Sequence, residues 1–129
     1  MKWIELETVL EIHNRIINYT GGSYGLRDKN ALESALFLPL ATFDGRELYP
    51  GIVEKVAVLL FKIANNHPFL DGNKRTAFVV ALTIFAVNGY EFKFTQEEVV
   101  TFMLSVARGD SSYRQICQWL KEHVISSNE

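Results

Sequence analysis

Two long apolar stretches constrain the fold of this chain. They run from Ile52 to Ala64 and from Thr76 to Val87, and the second is polar only at Thr76 and Thr83. Each has the length of a helix and is too short to span a membrane comfortably. A helix that is apolar on most sides lies in the interior of a domain. The sequence therefore predicts two central buried helices joined by a polar loop.

The N-terminal part of the chain predicts two further helices. Apolar side chains recur at spacings of three and four residues up to the glycine pair at positions 21 and 22, as on one face of a helix. A short second helix is expected to begin near Asp28 or Asn30, with Asn30 and Glu33 as a capping-box-like pair, and to end before Pro39.

The remaining elements follow from capping and turn signals. Thr95 with Glu98, and Ser112 with Gln115, predict capping boxes that open a fifth and a sixth helix. Asp44-Gly45, within Thr42 to Tyr49, is a turn signal for a small hairpin or flap. We therefore expect an all-α compact orthogonal bundle of about six helices, with a short flap before the central pair. Residues 1–125 are predicted to form a single domain and residues 126–129 a loose tail.

Composition narrows the classes of function. The chain has 129 residues, a net charge of −2 and one cysteine. The charge gives no electrostatic reason to expect direct nucleic-acid binding. A single cysteine cannot form an internal disulfide, which suits a reducing cytoplasm. Early acidic residues argue against a signal peptide, and we expect neither a membrane span nor membrane binding.

The polar loop between the central helices has the composition of a phosphate site. It reads His-Pro-Phe-Leu-Asp-Gly-Asn-Lys-Arg from His67 to Arg75. Histidine can take a proton from an attacking hydroxyl, and an aspartate such as Asp71 can hold Mg²⁺. Gly72 permits a turn whose N–H groups, running into a helix N-terminus, can cradle an anion. Lys74 and Arg75 supply positive charge for a transferring phosphoryl group.

Each of these residues also has a purely structural interpretation. His67 could cap the preceding helix, and Asp71 could be a turn or N-cap residue. Asn73 is a good N-cap for a helix beginning at Lys74, and we expect it to contact phosphate as well. Cations in the first turn oppose the helix dipole, so Lys74 and Arg75 are easier to understand if an anion compensates them.

Two residues outside the loop, Asn65 and His13, also have predicted positions or roles. Asn65, near the end of the preceding helix, is predicted as a further nucleotide contact. His13 lies on the apolar stripe of the first helix and is predicted to be a core or boundary residue rather than a ligand.

The loop resembles the signature of the Fic/Doc (Fido) family, HxFx(D/E)GN(G/K)R, and in particular its death-on-curing (Doc) branch. The likeness extends along nearly the whole chain, through Gly25-Leu26-Arg27-Asp28 and Asn88-Gly89-Tyr90. AMP-transferring members carry glycine where this chain has Lys74, and a second arginine where it has Phe78. The resemblance therefore implies a kinase that uses ATP and Mg²⁺, with AMP transfer as the alternative and a non-enzymatic helical interaction module as a third possibility.

The resemblance also implies partners. Doc toxins transfer the γ-phosphate to a threonine of elongation factor Tu, which blocks translation, and they are restrained by a prevent-host-death-like antitoxin. No inhibitory Ser/Thr-x-x-x-Glu-Gly/Asn segment occurs within these 129 residues, so we expect an external antitoxin. Its docking groove is predicted near the first two helices, around residues 36–38. The flap is predicted to hold the target segment by strand addition.

Overall fold

The computed structural model describes residues 1–126, in which six α-helices surround one core. This confirms the predicted all-α class. The helices are α1 (Leu6–Thr20), α2 (Lys29–Phe37), α3 (Ile52–Asn66), α4 (Asn73–Val87), α5 (Gln96–Ala107) and α6 (Tyr113–His123). A 3₁₀ turn at Leu38–Leu40 follows α2, and the short strands are β1 (Thr42–Phe43), β2 (Arg46–Glu47), β3 (Tyr90–Phe92) and β4 (Val124–Ser126).

The two apolar stretches form the central pair of helices, as predicted. Helix α3 packs against α4, and both also contact α5. Most of the large apolar side chains of the pair are fully or almost fully buried, among them Val56, Leu60, Ile63, Val80, Ile84 and Phe85. The loop between the helices therefore connects two helices of the buried core.

Local capping signals were correct for α5 and α6, and of the two starts predicted for α2, the one at Asp28 is confirmed and the one at Asn30 is wrong. Thr95 and Ser112 form complete capping boxes with Glu98 and Gln115. Helix α2, however, is capped by Asp28, whose carboxylate accepts a hydrogen bond from Ala31 N at 3.0 Å. The predicted cap at Asn30 is wrong because the extended backbone that an N-cap needs occurs at Asp28, and Asn30 already lies inside the helix.

The predicted flap is present as the antiparallel hairpin β1–β2, in which Thr42 pairs with Glu47. Lys55 of α3 fixes its base. The Lys55 side chain is only 3% exposed, and its Nζ lies 3.1 Å from Glu47 Oε1 and donates to the carbonyl oxygen of Tyr49. Because an unpaired buried ammonium is strongly unfavourable, this contact ties the flap to α3.

A second antiparallel pair, β3–β4, joins the end of α4 to the end of α6, with Tyr90 opposite Ser126. Ser126 thus belongs to a strand, and the loose tail predicted for residues 126–129 does not begin there. Residues 127–129 lie outside the described part of the chain. Strands of three residues carry too little alternation for the sequence to reveal them.

Candidate functional site

The polar loop forms a tight turn between the end of α3 and the start of α4. His67 is the C-cap of α3 and adopts a left-handed conformation, with φ 48°. Gly72 is the N-cap of α4, at φ 76°, a value that favours glycine. The loop thus begins at the C-cap of one central helix and ends at the N-cap of the other, and its histidine and its cations are exposed.

Phe69 and Asn73 hold this loop on the core. Phe69 is 1% exposed, and full burial of such a side chain stabilises by about 1.5–3 kcal/mol. The Asn73 side chain accepts a hydrogen bond from Phe69 N and donates one to Phe69 O, both at 3.0 Å. Phe69 is thus the hydrophobic anchor of the loop.

The prediction for Asn73 as an N-cap is wrong. Helix α4 begins at Asn73 itself, its N-cap is Gly72, and no side chain caps it. The amide of Asn73 turns inward because both of its polar atoms bond the Phe69 backbone, and the residue is 8% exposed. The Asn73 side chain is therefore occupied by the Phe69 backbone, and its contact with phosphate stays a prediction.

Asp71 is held by backbone groups on both sides. Its Oδ1 accepts from Gly72 N at 2.8 Å and its Oδ2 from Ser23 N at 3.2 Å. Gly22 makes this approach possible, since a Cβ at that position would lie 2.5 Å from Asp71 Oδ2. The carboxylate thus has one orientation while its side chain remains exposed to a ligand.

Arg27 is a site residue to which sequence analysis assigned no role. Its Nε donates to His67 O at 2.8 Å and a terminal guanidinium nitrogen donates to Asn66 O at 2.9 Å. These bonds satisfy the last carbonyls of α3 from outside the helix. A non-glycine residue in the left-handed region costs about 1–3 kcal/mol, and the Arg27 bonds stabilise that conformation at His67.

The segment that carries Arg27 is attached to the loop along its length. Leu26 and Phe69 form an antiparallel bridge, and Pro68 O accepts from the backbone N–H of Arg27 and of Asp28. Leu70 N donates to Gly25 O at 3.1 Å. The glycines between α1 and α2 are the feature of the sequence that could have indicated this contact, since glycine permits a close approach of two backbones.

Lys74 and Arg75 lie exposed in the first turn of α4, as predicted. They line an apolar groove of about 760 Å³ between α1, α4 and α5. The other residues that line it are mainly aliphatic and aromatic: Ile12, Arg15, Ile16, Tyr19, Thr20, Phe78, Val79, Thr83, Val99, Val100, Met103 and Leu104. At the docking site predicted around residues 36–38, Leu36 is only 3% exposed and packs in the core, whereas Phe37 is 66% exposed, and this docking site stays a prediction.

The remaining predicted residue, Asn65, lies on the last turn of α3, and its amide nitrogen donates to Phe61 O at 2.9 Å. Its role toward a nucleotide stays a prediction. Among residues 1–126 no group of three or more His, Cys, Asp or Glu side chains could hold a metal ion. Within the same range, no helix has both the length and the apolar character needed to cross a membrane.

Comparison with known proteins identifies the family of this chain. The sequence model described as the Fic/DOC family matches residues 3–85, which include α1, the Arg27 segment and the whole loop. The chain belongs to the Fic/DOC family. A chain named Toxin Doc, from Mycolicibacterium smegmatis, is 38% identical over 92 residues, which cover 70% of this chain and 71% of that protein. Membership of the Fic/DOC family supports a transferase activity for this chain.

Proposed function

We propose that this chain is a Doc-like toxin that transfers the γ-phosphate of ATP to a serine or threonine hydroxyl of a protein. The supporting observation is the pair Lys74 and Phe78. AMP-transferring relatives carry glycine at the first position and arginine at the second. Here Phe78 is 7% exposed and packs edge-to-face against Phe94, with ring centroids 5.4 Å apart. The second position is thus occupied by a core aromatic side chain, and Lys74 supplies a cation instead.

His67 is the general base in this proposal. His67 is exposed, and Arg27 holds its backbone by a hydrogen bond to its carbonyl oxygen. A positioned histidine that accepts the proton of an incoming hydroxyl typically contributes about 10²–10⁴ in rate. The predicted role for His67 therefore requires only that the target hydroxyl approach this exposed face.

The start of α4 binds the phosphates. Gly72 N already donates to Asp71 Oδ1, so the available backbone donors are the N–H groups of Asn73 and Lys74 rather than that of Gly72. The helix dipole and the side chains of Lys74 and Arg75 add positive charge at the same end. These groups would stabilise charge on the transferring phosphoryl group without rearrangement.

Asp71 fits a Mg²⁺ ion. Mg²⁺ is commonly held by one or two carboxylates together with substrate phosphates, so a lone exposed carboxylate next to an anion site is a suitable ligand. Each oxygen of Asp71 takes one N–H and retains acceptor capacity. When bound, the ion supplies positive charge to the phosphates.

The target is proposed to be elongation factor Tu, and the toxic effect a block of translation in the cytoplasm. This follows the resemblance to Doc and the relative named Toxin Doc. The exposed edge of the β1–β2 flap supports recognition of an extended target segment, because an edge strand offers unpaired backbone groups.

We also propose that an antitoxin occupies the groove between α1, α4 and α5. The groove combines an apolar lining with the cations Arg15, Lys74 and Arg75, which suits an amphipathic helix that carries acidic residues. Such a helix would lie against the first turn of α4 and shield its cations. A disordered antitoxin segment that folds on binding would serve this purpose.

The test of the antitoxin site uses two exposed residues. Leu104→Arg places charge in the groove, and Phe37→Arg does the same on α2. Each variant is expressed with and without the neighbouring gene of the operon. We expect the neighbour to restore growth with Phe37→Arg and to fail with Leu104→Arg. If the neighbour rescued both variants, the antitoxin would not bind in this groove. If the wild-type chain were harmless when expressed alone, the proposal of an external antitoxin would be wrong.

Labelled ATP tests the activity itself. The purified chain is incubated with elongation factor Tu and ATP labelled on the α or the γ phosphate. Transfer from the γ position only is the expected result. Transfer from the α position would instead identify an AMP transferase, and no transfer from either would favour a non-enzymatic interaction module.

A further inference from the structure

His13 of α1 lies directly beneath the loop. It is 2% exposed, its Nε2 is 2.8 Å from the carbonyl oxygen of Asp71, and its ring is stacked on that of Phe69 with centroids 3.8 Å apart and planes 6° apart. A carbonyl oxygen only accepts hydrogen bonds, so Nε2 carries the proton and donates. The sequence prediction of a core residue was correct for burial, but it missed this contact.

The contact fixes one peptide plane. In a trans peptide the C=O of Asp71 and the N–H of Gly72 point in opposite directions. Because the carbonyl points to His13, the N–H of Gly72 points the other way, where it donates to Asp71 Oδ1 at 2.8 Å. The planar Asp71–Gly72 peptide therefore couples the hydrogen bond from His13 to the orientation of the Asp71 carboxylate.

That plane needs an external restraint. Glycine populates positive and negative φ about equally, so the backbone at Gly72, now at φ 76°, does not by itself oppose a reversal of the Asp71–Gly72 peptide. Reversal would remove the N–H from Asp71 Oδ1. It would also turn a carbonyl dipole away from His13, toward the side on which the carboxylate lies.

We propose that His13 is a positioning residue of the transfer reaction, which holds the Asp71–Gly72 peptide in its one productive orientation. The inference rests on the proposed function, because it assigns Asp71 to the metal and the start of α4 to the phosphates. His13 itself touches neither. It acts through the peptide plane, and it connects α1, one wall of the groove, to the loop.

The test compares three variants of the full chain. His13→Phe keeps an aromatic ring for the stack on Phe69 but removes the donor, and His13→Gln restores a donor. Val9→Ala is the matched control, since Val9 is fully buried one turn away on the same helix and its aliphatic side chain has no hydrogen-bond donor. If His13→Phe fails to fold, His13→Met replaces it, because methionine is flexible and also lacks a donor.

Two measurements are made on each variant. Hydrogen exchange of the Gly72 amide reports the peptide plane without any need for activity, and γ-phosphate transfer is measured as a function of Mg²⁺ concentration. In His13→Phe we expect faster exchange at Gly72, transfer reduced about tenfold or more, and a higher Mg²⁺ requirement. His13→Gln should recover most of both properties, and Val9→Ala should resemble the wild type.

The outcomes separate this inference from the proposed function. If the wild type transfers no phosphate, the kinase proposal fails, and the exchange of Gly72 still decides whether His13 holds the peptide. If exchange at Gly72 and the Mg²⁺ dependence of His13→Phe match those of Val9→Ala, His13 is a packing residue only and the inference is overturned.

Discussion

Arg27 donates hydrogen bonds to the carbonyl oxygen of His67 and to that of Asn66, and so caps α3 from a segment forty residues earlier in the chain. The guanidinium presents several N–H donors in a fixed planar arrangement, which lets one side chain satisfy two carbonyls. The residue proposed as general base is therefore positioned by its main chain, while its imidazole stays exposed.

Replacing Arg27 by Lys should lower transfer about tenfold while the chain stays folded. A single ammonium on a flexible stem cannot reproduce the planar fork, and small errors in the placement of a base are costly. The measurement is initial rate with γ-labelled ATP, and Arg114→Lys, at an exposed position on α6, is the control. Equal rates in the two variants would show that the cap does not position His67.

Replacing His67 by Ala should abolish transfer and toxicity. Loss of a general base removes about 10²–10⁴ in rate. The fold should be retained, because the side chain is exposed and alanine adopts the same helix end at modest cost. Circular dichroism checks the fold and labelled transfer checks the rate. A folded variant with wild-type activity would remove His67 from the mechanism.

Replacing Asp71 by Asn should raise the Mg²⁺ concentration needed for half-maximal transfer. Asparagine keeps the size of the side chain and one of the acceptors for the N–H groups of Ser23 and Gly72, but it removes the negative charge. Added metal should therefore restore part of the rate. A metal dependence identical to that of the wild type would make Asp71 a purely structural turn residue.

Replacing Lys74 by Gly should weaken γ-phosphate transfer, since it removes a cation from the first turn of α4. AMP transfer is not expected to appear at a comparable rate, because Phe78 remains in the core where other family members carry an arginine. Parallel reactions with α- and γ-labelled ATP measure both activities. Unchanged γ transfer would show that the lysine has no part in it.

His123 should make stability depend on pH. Its Nδ1 faces the carbonyl oxygen of Trp119 at 2.7 Å and its Nε2 lies 2.9 Å from Glu98 Oε2, so both ring nitrogens meet acceptors. Only the imidazolium has two N–H donors. Although burial opposes the charge, the bonds to Trp119 and Glu98 raise the pKa of His123 above its usual 6.5. The bond to His123 in turn lowers the pKa of Glu98 from 4.5.

The sign of this effect follows from the two shifts. The contribution of His123 is fully present below pH 6.5 and is lost as the pH rises through its higher folded value. The contribution of Glu98 is present above pH 4.5 and is lost as the pH falls through its lower folded value. The free energy of unfolding of the wild type should therefore exceed that of His123→Phe by the largest amount between pH 4.5 and pH 6.5. Urea unfolding from pH 4 to 9 measures it, and a pH-independent difference would contradict it.

A separate observation concerns the single cysteine. Cys117 is buried on α6, and burial raises the pKa of its thiol. A thiol that resists ionisation is a poor nucleophile. Cys117 is therefore a small packing residue of the core.

Much of this protein can be inferred from residues that are close in sequence. The length of the two apolar stretches predicted α3 and α4, and the pairs Thr95–Glu98 and Ser112–Gln115 predicted the starts of α5 and α6. These signals work because a helix and its caps involve groups within four residues of one another. The loop motif was recognisable for the same reason, since all of its functional side chains lie within nine consecutive positions.

What holds that motif in shape was decided by contacts between distant parts of the chain. His13 bonds Asp71 across 58 residues, Ser23 bonds it across 48, and Arg27 bonds His67 across 40. The Asn73 side chain points inward because its amide satisfies the buried backbone N–H and C=O of Phe69. These groups are buried only once α1 and the Gly25–Asp28 segment pack on the loop. The sequence determined which groups are present, and burial and hydrogen-bond satisfaction in the folded chain determined which of them remain exposed for chemistry.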